Sequence, residues 1–113
     1  MDAERDREAF RQHVRESDRY VAEHDVKRAN AETDALTRVG TPWQAAGRLL
    51  ELLSPLMDGS EPRNVRFAAA SYLFHAGHES DAAPTLDEIR NEPGLEAVTA
   101  RVLLDKWRRQ DVE

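Results

Sequence analysis

The chain predicts an all-α fold of about six helices in three stacked antiparallel hairpins. Three observations lead there. Ala, Leu, Glu and Arg, all strong helix formers, are abundant, while Gly and Pro number only 5 each in 113 residues. Apolar residues recur at steps of three and four along most of the length. The passage NVRFAAASYLFHAGH, Asn64 to His78, is apolar nearly all round, as a helix is when neighbours cover it from both sides.

The elements follow in order. Between Asp2 and His24, Phe10, Val14, Ser17 and Val21 fall on one helical stripe among charged residues. The register shifts at His24-Asp25, and a second stripe of Val26, Ala29, Thr33, Leu36 and Val39 runs to Gly40, read as a C-terminal cap. Thr41 before Pro42 reads as an N-cap and first helical position, opening a third helix with Trp43, Ala46, Leu49, Leu50, Leu52 and Leu53. Pro55 has no N–H and crowds the Glu51 carbonyl, so that helix kinks or stops near Ser54, with Leu56 and Met57 free to add a turn.

Asp58-Gly59-Ser60 reads as a turn, and Pro62 opens helix four. There Val65, Ala68, Ala69, Tyr72, Leu73 and Ala76 share one broad face, Phe67, Ala70 and Phe74 another, and the alanines permit close helix approach. Helix five spans about Ser80 to Asn91 with Ala82, Ala83, Leu86 and Ile89 inward, stopping at Glu92-Pro93-Gly94. Helix six, Leu95 to about Gln110, points Leu95, Val98, Val102, Leu103 and Trp107 inward, and the tail from Asp111 to Glu113 is expected to be loose. The hairpins are then residues 2–39, 42–76 and 80–110 of a single domain, with hairpins one and three on either side of helix four.

Composition narrows the function classes. No cysteine is present, which removes disulfides, thiolate nucleophiles and Cys-based metal sites. The start MDAERDREAF offers neither a signal-peptide core nor a lipid-anchor motif, and no apolar run approaches the roughly 20 residues that cross a bilayer. A cytoplasmic location without membrane contact is expected. Net charge is −6, with the one basic cluster, KWRR at Lys106–Arg109, too small to favour nucleic acid as a partner.

At VRFAAASYL the pattern Val65, Arg66, Ala68, Ala69, Leu73 resembles the second helix of a HEAT repeat, and PWQAAGRLLELLSPLMD before it resembles the first. Each hairpin is close to or shorter than the HEAT period of roughly 40–47 residues. As a whole the chain resembles a family of small bacterial HEAT-like domains of unknown function. The resemblance implies a HEAT-like α-α superhelix and a non-enzymatic, protein-binding role, with immunity-type inhibition of a bacterial toxin as one form of it. The longer Gly59-Ser60-Glu61-Pro62 connection departs from the HEAT pattern. In that reading the second helices line a binding face where Asp34, Arg38, Arg66, Ser71 and Arg101 lie, with Trp107 as an aromatic anchor. Arg66 also carries a structural expectation, reaching toward an acid such as Asp58 or toward the next hairpin.

Catalytic candidates are weaker. His75 and His78 could share a metal with Glu79, but residues at the carbonyl end of a helix welcome positive charge and Gly77 begins a cap, so no metal or other cofactor is assigned. His24-Asp25 is the dipeptide of HD-type phosphohydrolases, but His13 is the nearest further ligand and ordinary helix-junction roles suffice. No nucleophile elbow or phosphate loop occurs. The alternatives to protein binding are a HEAT-like nucleic-acid binder and a small metal-dependent hydrolase. A monomer is expected, or a weak homodimer if Phe67 and Phe74 stay uncovered.

Overall fold

The structure, a computed structural model, describes residues 2–111, with side chains described as far as Arg109. Its elements are α1 (Ala3–Ala22), α2 (Val26–Ala45), α3 (Leu49–Leu53) followed by a 3₁₀ turn (Ser54–Met57), α4 (Arg63–His75), α5 (Glu79–Ile89) and α6 (Leu95–Asp111). The fold is all-α, with no strand among the described residues. The tail expected to be loose lies outside them beyond Asp111. Two compact units form, Met1–Leu56 and Met57–Glu113.

In the first unit, Asp2 caps α1 by accepting the Arg5 N–H at 3.1 Å, with Glu4 and Asp6 favourable in the first turn. A short turn folds α2 back along α1, and Phe10, Val14, Ala29, Gly40 and Trp43 are buried. Val21 and Val26, at the turn, stay exposed. The turn is a Schellman motif: Asp25 N–H donates to Tyr20 O at 2.8 Å and His24 N–H to Val21 O at 3.0 Å. His24 takes the left-handed position, φ 58°, that glycine favours. The same motif ends α2 and α4 with glycine there, Gly47 at φ 71° and Gly77 at φ 98°. Asp25 then caps α2 through the Arg28 N–H at 3.1 Å. His24→Gly is expected to stabilise this unit by about 0.5–1 kcal/mol by relieving the steric cost of the left-handed residue, read as a higher urea midpoint at unchanged m-value.

The helix break expected at Gly40-Thr41-Pro42 does not form. α2 runs through all three, so Thr41 is no N-cap; its Oγ1 donates back to Thr37 O at 2.8 Å. Continuing the helix brings Trp43 onto the stripe of Ala29, Leu36 and Gly40, where it is 1% exposed and its Nε1–H donates to Asp6 Oδ2 at 2.8 Å. Burying an indole offsets the roughly 3 kcal/mol penalty of an interior proline. The hairpin expected over 42–76 therefore yields its first turn to α2.

Pro55 acts as anticipated: α3 ends at Leu53 and one 3₁₀ turn follows. A proline here leaves the Glu51 carbonyl without its helical donor. Arg7 of α1 supplies one, donating Nη2–H to Glu51 O and Nε–H to Leu52 O, both at 2.8 Å. Leu49, Leu52, Leu53 and Leu56 are all buried around this junction. Arg7→Ala is expected to cost about 1.5–3 kcal/mol in urea unfolding, and Arg7→Lys to recover less than half, because an ammonium cannot present a planar fork to two carbonyls.

In the second unit, Asp58 forms the expected turn by accepting the Ser60 N–H at 2.8 Å, and that hydrogen bonding holds its carboxyl below the usual aspartate range. The turn's contribution is therefore present at neutral pH and fades as pH falls through the lowered value. α4 buries Val65, Ala69, Ala70 and Leu73, and packs closely on α5, which buries Ala82, Ala83, Leu86 and Ile89. Phe67 and Phe74 are half-buried, Phe74 meeting Trp107 edge to face with centroids 6.2 Å apart. α6 packs on α5, but not with the face expected: Ala97, Ala100 and Leu104 are inside, while Leu95, Val98 and Val102 are 83%, 53% and 59% exposed. Only Leu103 and Trp107 of the expected stripe retain partial cover.

Candidate functional site

Asp34 and Arg38 stand one turn apart on the exposed side of α2, and neither forms an ion pair among the described residues. Their position follows from α2's burial pattern, which turns Ala29, Gly40 and Trp43 inward. In the second unit Ser71 is half-buried on α4, Arg101 is exposed on α6 and donates to Arg90 O at 3.4 Å, and Trp107 is half-buried against Phe74.

Arg66 is built into the unit. Its side chain is 13% exposed, its Nε–H donates to Glu61 O at 3.1 Å, and its Nη2 lies 3.6 Å from Glu92 Oε1. Of the two partners expected, Arg66 takes the one in the adjacent hairpin: the acid is Glu92, at the α5–α6 connection, and not Asp58. Arg63 joins it, donating Nη1–H to Pro93 O at 2.6 Å with Nε 3.8 Å from Glu92 Oε2. Two cations in the first turn of a helix oppose its macrodipole, and the carboxylate of Glu92 compensates while holding the connection to α4. Gly94, at φ 119°, completes that connection in a backbone region that side chains disfavour.

The histidines take separate places. His75 is exposed at the end of α4, while His78 precedes α5 with Nδ1 3.6 Å from Asp81 Oδ2. His24 and Asp25 serve the helix junction described above. His13, in contrast, meets Glu32 at 2.6 Å between α1 and α2, a pair separated by 19 residues that no local pattern signals. Among the described residues no group of three or more His, Asp or Glu side chains is arranged to hold a metal ion. No helix among them is long and apolar enough to cross a membrane.

No family model, curated protein or solved structure matches this chain. The surface itself is then the guide. Sequence reading missed the outward side of α6, where three aliphatic residues lie in water beside Arg101, Lys106 and Arg109. Their spacing was visible, but Val and Leu at helical steps are read as core by default.

Proposed function

We propose that this chain is a non-enzymatic protein-binding module of HEAT-like type, working in the cytoplasm as an immunity-type inhibitor of a bacterial toxin. The observation that supports binding is the exposed aliphatic row of α6, since a row of Leu and Val held in water by an otherwise well-packed helix is what a partner covers. The HEAT-like pattern around Val65 and Arg66 supports the class of module, with Asp34, Arg38, Arg101 and Trp107 as further contact candidates. The test is affinity capture with the full chain from native lysate, followed by mass spectrometry. The expected result is one protein enriched in near-stoichiometric amount that arrests growth when expressed alone and not when co-expressed with this chain. Capture of nothing above background overturns the binding reading, and a captured protein without toxicity overturns the immunity role.

A further inference from the structure

We infer that the outward face of α6 docks an acidic amphipathic helix of a partner protein, an inference that rests on the binding reading above and specifies its surface. Leu95, Val98 and Val102 stand at steps of three and four, the spacing of a two-helix seam, and all three are more than half exposed. The apolar row itself ends at Val102, and the same series continues through the charged Asp105 and Arg109, so the face from Leu95 to Arg109 covers about 21 Å of helix at 1.5 Å per residue. That length accommodates a helix of about four turns and defines a small interface of the transient kind.

Charge selects the occupant. Arg108 is neutralised by Asp87 of α5 at 2.7 Å, but Arg101, Lys106 and Arg109 are exposed beside the row with no acidic partner among the described residues. Asp105 is the acid on that face. From 95 to 109, with Arg108 set aside as paired, three cations (Arg101, Lys106, Arg109) stand against two acids (Glu96, Asp105), in a chain whose net charge is −6. A partner helix with apolar residues at matching steps and acids along its flank satisfies both features at once.

A second copy of α6 does not. Parallel pairing sets Lys106 and Arg109 against their own equivalents, and antiparallel pairing lays them over the partially positive N-terminal turn of the other helix. An anionic membrane fits poorly as well: the row lacks aromatic residues, Asp105 interrupts it, and the chain's net charge repels acidic lipid.

The test places a photo-crosslinking p-benzoylphenylalanine at Val98 of the full chain, irradiates it in native lysate, and maps the adduct by mass spectrometry. The expected adduct lies in an acidic, amphipathic helical segment of another protein. Alongside, Val98→Glu/Val102→Glu should weaken capture of that protein at least about tenfold, and Lys106→Glu/Arg109→Glu should slow association and flatten its salt dependence. Both variants are expected to keep the parental circular dichroism melt, because every replaced side chain is exposed. An adduct to a second copy, to lipid, or to a segment without acids overturns the inference, as does capture unaffected by Val98→Glu/Val102→Glu. In each of those cases protein capture by the unaltered chain still stands, whereas its failure removes the binding reading itself.

Discussion

Trp43→Ala costs the Met1–Leu56 unit about 3–5 kcal/mol, the range for deleting a buried large aromatic side chain. At roughly 0.05–0.15 kcal/mol per residue, a unit of this length holds about 3–8 kcal/mol in total, so the variant sits near its own unfolding midpoint in water. Two contributions are separable. The indole is 1% exposed, and its Nε1–H donates to Asp6 of α1 at 2.8 Å. Trp43→Phe keeps most of the packing and loses the bond, for which about 1.5–3 kcal/mol is expected because the acceptor is a carboxylate. Urea unfolding in a Trp107→Phe background, followed by the fluorescence of Trp43, measures the Trp43 side directly, and circular dichroism follows the substituted chains. A loss below about 1 kcal/mol for Trp43→Ala would mean that α2 stops at Gly40 and the indole is not in the core.

Leu104→Ala and Val102→Ala, two positions apart on α6, are expected to differ by several kcal/mol. Leu104 is 0% exposed, so its truncation costs about 2–5 kcal/mol. Val102 is 59% exposed, and its replacement falls within about 0.5 kcal/mol, tilted toward stabilisation because Ala is the better helix former. Amide hydrogen exchange across α5 and α6 reads the difference locally, with faster exchange for Leu104→Ala alone. Equal losses, or the reverse order, would restore the packing that puts Leu95, Val98 and Val102 inside.

The contrast shows where sequence reading succeeds and where it stops. Helix positions were legible for α1 and α5, because stripes such as Phe10 and Val14 or Leu86 and Ile89 run on one side with charge opposite, and for α4, because Pro62 opens a long apolar run. Pro55 was legible because its effect is local. Pro42 was not, since what carries α2 through it is a contact 37 residues away, Trp43 with Asp6. On α6 two apolar rows compete, and ranking by side-chain size chooses the valines. The structure chooses Ala97 and Ala100, small enough to let α6 lie close against α5, and leaves the larger row outside. The same substitution of shape for size hid the candidate site. Asp34, Arg38 and Arg101 were found as exposed polar groups, and Arg66 was read as reaching the next hairpin, but its acid, Glu92, sits in a turn whose path no local pattern specifies.

Asp6 and Arg7 give the first turns of α1 an importance out of proportion to their charged, unremarkable composition. One holds the indole of Trp43 and the other relieves the carbonyls stranded by Pro55, so both ties are made by neighbouring residues within the opening two turns. Any cut within the first two turns of α1 would unfasten both together.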